Sequence, residues 1–196
     1  MSRTVKDPEE RRRELLATAM RLFAEEGYDN VSVRAVARAA GVAPGLAYHY
    51  FDSKQNLFAA AIEDYSQRCA EGICAILDDR NLTLDEKIDR AITLGSNNDA
   101  FEHAAYFHAE GHGALHDRLS LGLCEAVRPH LRAALELDAM LRGMPAGDAN
   151  ELAALMVYGC IGLASGPGMP DARTTDAAQR YLSALIAEFR SNPASR

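Results

Sequence analysis

The chain has 196 residues, 48% of them hydrophobic and 25% charged, with a formal net charge of −7 at pH 7. That is long and apolar enough for a sizeable core, which excludes a disordered chain. No run approaches the roughly 18 apolar residues of a membrane span, and the stretch Met1 to Arg13 is charged where a signal peptide would be apolar, so a cytoplasmic protein with no membrane partner is expected. An acidic total argues against nucleic acid, but residues 1–54 hold nine Lys or Arg against eight Asp or Glu, a balance of +1 that leaves −8 on the remainder; only the first part can approach a phosphate backbone comfortably.

From Pro8 to Glu26, Leu15, Leu16, Ala19, Leu22 and Phe23 recur at helical spacing and Gly27 ends the pattern, while Arg11, Arg12, Arg13 and Arg21 occupy the other face. Between Val31 and Lys54 two short helices flank a glycine break. Ser32 can cap the first with its hydroxyl, Gly41 supplies the left-handed backbone that stops it, and Pro44 suits the first turn of the second. Val36, Ala37, Ala40, Val42 and Ala47 are small or apolar enough for close packing, which leaves Arg34, Arg38, Tyr48, His49 and Lys54 outward: a helix-turn-helix, the arrangement that sets one helix in a DNA groove.

Asp52 with Gln55 resembles a capping box opening a long fourth helix through Leu57, Phe58, Ala61, Ile62 and Tyr65 to about Leu77. After the polar turn Asp78–Asn81, Thr83 with Glu86 starts a fifth helix expected to continue through Ile88, Ile92 and the cluster Phe101, Tyr106, Phe107, with Gly111 and Gly113 weakening helix beyond. A further helix is predicted from about Leu119 to Asp138, bent at Pro129, then a loop at Gly143–Gly147 and a third capping signature, Asp148 with Glu151. The last two helices, about 149–164 and 175–190, carry Leu152, Leu155, Met156, Gly159 and Leu163 on one face and Tyr181, Leu182, Leu185, Ile186 and Phe189 on another. Gly159 and Gly162 suggest close approach of another helix. No segment has strand period, so the fold class is all-α. Cys69, Cys74, Cys124 and Cys160 form no C-x-x-C pair and are expected to be buried reduced thiols.

Leu22–Tyr28, Val33–Ala37, Ala40-Gly41-Val42, Tyr48-His49-Tyr50-Phe51, and Lys54 with Leu57 are landmarks by which the chain resembles the TetR family of bacterial transcriptional regulators. The specific part spans Arg13 to Phe58; beyond about residue 65 only helix order and loop spacing match. The resemblance implies an N-terminal three-helix head, residues 1–53, and a larger effector-binding and dimerisation body, residues 54–196. It implies a homodimer on a palindromic double-stranded operator, usually a repressor released by a small-molecule effector, with no catalysis and no cofactor. Ser32 and Arg34 would touch phosphates, Pro44, Gly45 and Leu46 would enter the major groove, and Tyr48, His49 and Lys54 would clamp the backbone. Leu46 and Ala47 stand where many members carry a hydroxyl residue and then Leu, so base reading would rest more on backbone contacts, Arg34 and DNA shape.

A hydrophobic or aromatic effector would be sought around Ile73, Phe101, Phe107, Cys124, Met156 and Cys160, with His103, His108 or His112 as orienting partners. The intersubunit bundle would use Leu152, Leu155, Met156, Gly159, Leu163, Tyr181, Leu182, Leu185 and Phe189. His108, His112 and His116 recur every fourth residue, which leaves a metal-sensing repressor as an alternative, although no cysteine or carboxylate completes a ligand pattern. A helical interaction protein that does not bind DNA is the other alternative. No nucleophile elbow or Ser-His-Asp spacing appears, and Gly166-Pro167-Gly168 lacks the strand and helix of a phosphate loop.

Overall fold

The computed structural model describes residues 7–97, 101, 113–164 and 171–191, and all regular structure among them is helical. The chain separates into two compact units, one ending at Ser66 and the other beginning at Gln67.

In the first unit α1 (Pro8–Glu26) buries Leu15, Leu16, Ala19, Met20, Leu22 and Phe23. Gly27 ends it at φ 81°, with its N–H on the Phe23 carbonyl at 3.1 Å. After one tight turn at Tyr28–Asn30, α2 (Val33–Ala39) opens as expected: the Ser32 hydroxyl accepts from the Ala35 N–H at 3.1 Å. Gly41 turns the chain at φ 68° and α3 (Pro44–Tyr50) follows with proline in its first turn. Val33, Val36, Ala37 and Ala47 are buried at this junction; small side chains let the two short helices approach closely.

The next helix, α4 (Lys54–Asp78), is capped by Ser53, whose hydroxyl accepts from Asn56 N–H at 3.1 Å, and not by the expected Asp52–Gln55 box. Its first turns belong to the amino-terminal unit. There Phe58 meets Phe23 edge-on at 4.8 Å and Tyr28 at 4.7 Å, so the division between units falls inside α4 rather than at residues 53/54.

In the second unit α5 (Leu84–Gly95) begins with the complete Thr83–Glu86 capping box. It stops at Gly95, short of the aromatic cluster: Ser96 closes the last turn onto Ile92, Phe101 lies outside any helix, and Tyr106 and Phe107 lie outside the described residues. Helix α6 (Gly113–Leu141) starts earlier than predicted and runs through Pro129 without ending. The predicted loop contains Gly143 and Gly147, both at positive φ. Then come α7 (Ala149–Ala164) and α8 (Ala172–Ser191), the latter opening before residue 175 because the Asp171 carboxylate accepts from Thr174 N–H at 2.7 Å. α6 packs along α7, and α8 packs on both α5 and α7.

Two polar anchors in this unit escaped the periodicity. Lys87 is almost fully buried and donates to the Leu77 carbonyl at 2.6 Å, a cation on the carbonyl end of α4. Arg190 forks across two carboxylates, holding Asp85 at 2.7 and 3.0 Å and Asp138 at 2.9 and 3.0 Å, and so ties the start of α5 to the ends of α6 and α8. Burial opposes ionisation of Asp138, but the hydrogen bonds and charge of Arg190, with Arg142 beside it, outweigh burial and hold its carboxyl below the ordinary value. Arg190→Met should therefore lower unfolding free energy by about 1–3 kcal/mol at neutral pH. A carboxyl whose folded pKa is depressed stabilises fully above its unfolded value, near 4, and loses that contribution as pH falls through the folded value. Chemical denaturation from neutral to strongly acid pH should show the gap between wild type and variant closing only in that acid window.

Candidate functional site

The outward tip of the helix-turn-helix is built on a rigid footing. Ala47 is buried while Pro44, Gly45, Tyr48 and His49 around it are exposed and Leu46 is half-buried, so α3 presents one side and its beginning to solvent. The Tyr50 phenol donates to the Pro8 carbonyl at 3.2 Å, which fixes the end of α3 to the start of α1. Arg34 and Arg38 are exposed on α2 with no acidic partner among the described residues, whereas Arg11 and Arg21 of α1 are paired with Glu14 and Glu25. Lys54 is more committed than its sequence position suggested. Its ammonium donates to the Asp29 carbonyl at 3.1 Å and lies over the Tyr28 ring at 4.3 Å, so it braces the head and has only its remaining donors to offer a phosphate. The Ser32 hydroxyl, occupied as an acceptor by the cap, likewise keeps its proton to donate.

Gly45 has an ordinary backbone, and a Cβ built on it would meet nothing within 4 Å. No described residue asks for glycine there, although glycine weakens a helix by up to about 1 kcal/mol. Close approach of an outside surface to the backbone would account for it.

In the second unit a cavity of about 180 Å³ lies among α4 to α8 and Phe101. Of the expected pocket residues, Ile73, Phe101, Met156 and Cys160 line it; Cys124 is buried off its wall, and His103, Phe107 and His112 lie outside the described residues. Periodicity did not single out Ile88 and Ile92 of α5 as lining, nor the polar rim of Ser96, Thr174 and Thr175. Burial raises the thiols of Cys160 and Cys124 to about 11, the latter with a contribution from Cys160, so both stay protonated and weakly nucleophilic at neutral pH. All four cysteines are free.

Of the three spaced histidines, His108 and His112 lie outside the described residues. His116 sits in the first turns of α6 with Nδ1 3.5 Å from the Ser120 hydroxyl. Among the described residues no group of three or more His, Cys, Asp or Glu could hold a metal ion, and no helix is long and apolar enough to cross a membrane.

The family model for bacterial regulatory proteins of the tetR family matches residues 15–61, from α1 through the first turns of α4. The transcriptional repressor AcnR of Corynebacterium glutamicum is 41% identical over 64 residues, 33% of this chain and 34% of that protein. The transcriptional regulator BetI of Rhizobium meliloti is 44% identical over 52 residues, 26% of each. The matches thus span about a third or less of the length of these curated relatives. The fold likeness runs further: the TetR family repressor AlkX of Dietzia sp. superposes with a TM-score of 0.65 over 93% of this chain and 98% of that one, at 17% identity.

The head, residues 15–61, is of the TetR family type.

Its TetR-family landmarks fall where the geometry needs them, since the matched segment contains the Ser32 cap, the Gly41 turn and the exposed beginning of α3. Outside that segment the chain is its own guide. Helix α7 is apolar nearly all round, so it carries two stripes where the sequence reading saw one. Leu152 and Met156 face the chain's own core, as does Leu182 of α8, while Leu185 and Phe189 are partly buried against it. These five are therefore wholly or partly committed inside the chain. Leu155, Tyr158, Leu163 and Tyr181 stay 41–63% exposed, and Gly159 and Gly162 among them have open space where a Cβ would stand. A helix apolar on both sides is stable only if something covers the second.

Proposed function

We propose that this chain is a DNA-binding transcriptional regulator of the TetR family, a repressor that holds a palindromic operator as a homodimer and releases it when a small apolar molecule enters the body. Gly45 carries the most weight. A glycine that no described residue requires, exposed beside Tyr48 and His49 in a head where Arg34 has no acidic partner among the described residues, suits a backbone that must approach a groove while neighbouring donors reach phosphates.

One head contacts too few base pairs for useful specificity, so two must act together about 34 Å apart, one helical turn, or at a multiple of it. The outward stripe of α7 with Tyr181 of α8 supports a partner copy, whose helices would approach closely over Gly159 and Gly162. Ile73 and Leu77 line the cavity from α4, the same helix whose first turns bury Leu57, Ala61 and Ile62. A ligand that favours one arrangement of α4 by about 1–3 kcal/mol would change operator occupancy some five- to 150-fold. Repression and ligand-induced release follow the family's usual mode.

Selection of bound fragments from a random duplex pool tests the reading. Two inverted half-sites at helical-turn spacing are expected. A pool with no enrichment at low ionic strength would remove it.

A further inference from the structure

The cavity is walled by aliphatic side chains, Phe101 and Cys160, and its polar groups are Ser96, Thr174 and Thr175, gathered where the end of α5 meets the first turns of α8. No charged side chain lines it among the described residues. The Thr175 hydroxyl lies 3.2 Å from both the Ser96 hydroxyl and the Asp171 carbonyl, and its single proton serves one of them at a time. When that proton goes to Asp171, Ser96 donates to Thr175; when it goes to Ser96, the Ser96 proton has no acceptor among the described residues. The second arrangement frees a donor at the rim of an apolar chamber, and a ligand acceptor selects it.

Resting on the effector reading above, we propose that the cavity takes an uncharged ligand, aliphatic or with a single ring, that carries one acceptor oxygen to which the Ser96 hydroxyl donates. Size follows from the volume: a cavity of about 150 Å³ accommodates benzene, so about 180 Å³ suits a ligand of roughly seven to ten heavy atoms. Charge follows from the walls. A carboxylate or an ammonium would leave water for a lining that has no counter-charge among the described residues, and an unpaired buried charge is strongly disfavoured. Burial keeps the one lining thiol, Cys160, protonated at neutral pH, so binding is non-covalent. A ketone, ester or alcohol fits these terms, and the alkane of the same length fits all but the hydrogen bond.

The test is a ligand-observed NMR titration of the full chain at neutral pH with hexane, 2-hexanone, hexanoate and hexylammonium. 2-Hexanone should bind about tenfold more tightly than hexane, the worth of one good hydrogen bond, with both ions weaker than either. In Ser96→Ala the ketone should fall to the level of hexane while hexane is unchanged; in Thr175→Val, which keeps the Ser96 donor, the ketone should retain its advantage. Hexanoate or hexylammonium matching the ketone, a ketone no tighter than hexane, or saturation by none of the four overturns the proposal, and the wild-type ranking alone decides this if a variant fails to fold. Retention on selected operator DNA, measured with and without ketone, separates the two claims: binding without release upholds the ligand class and counts against the effector reading.

Discussion

Replacing Gly159 with arginine should convert the protein into a folded monomer that no longer holds its operator. Glycine at this position has open space in the protomer, so the long side chain can extend outward without displacing anything in its own chain. It also removes a glycine from the middle of α7, which favours the helix by up to about 1 kcal/mol. The harm comes only at the second apolar stripe, where Leu155, Tyr158 and Leu163 are exposed and where, in the proposed dimer, a charge would be buried without a counter-ion. Since linking two binding modules raises overall affinity about 10²–10⁴-fold over one alone, operator affinity should fall by about a hundredfold or more. Sedimentation should report half the wild-type mass and circular dichroism an unchanged helix signal. A variant that stays dimeric would show that α7 is covered by something else.

Gly45→Ala should separate stability from DNA binding at the head itself, with the oligomeric state unchanged. The added methyl group meets nothing in the chain and relieves a glycine in α3, so thermal unfolding should be unchanged or move upward. If the beginning of α3 approaches the floor of a groove, the same methyl obstructs it, and operator affinity should drop about tenfold or more at every salt concentration, by analogy with the loss of one good base contact. Arg34→Gln supplies the contrast. One fewer phosphate neutralised should reduce the slope of log affinity against log salt by about 0.9 and weaken specific and nonspecific DNA alike. Electrophoretic retention over a salt series measures both. An alanine at position 45 that binds as the wild type does would break the link between the unneeded glycine and the groove.

The head was legible because its signals are local. Ser32 caps its own helix, Gly41 needs a positive φ, Pro44 begins a helix, and each is decided by residues three or four positions away. The body was legible in its helix order but not in its faces. Leu152 and Leu155 are equally apolar, and only the presence of α6 and α8 on one side of α7 determines that the first is buried and the second is not. The cap of α4 was missed because Asp52 and Ser53 are both good capping residues and the choice depends on where the chain leaves α3. Lys87 and Arg190 read as surface charges in any helical pattern. Their partners are distant in sequence, the Leu77 carbonyl and the pair Asp85 and Asp138, so nothing local announced them. The polar rim of the cavity was invisible for the same reason, since Ser96 and Thr175 meet across two helices.

The most direct measurement is the mass of the complex formed by the full-length chain on a selected duplex, followed by sedimentation at low ionic strength. Two protomers bound together on one duplex, with no intermediate of one, is the result expected of paired heads held at a fixed spacing. A chain that sediments alone, as a monomer beside free duplex, would contradict the account at its root.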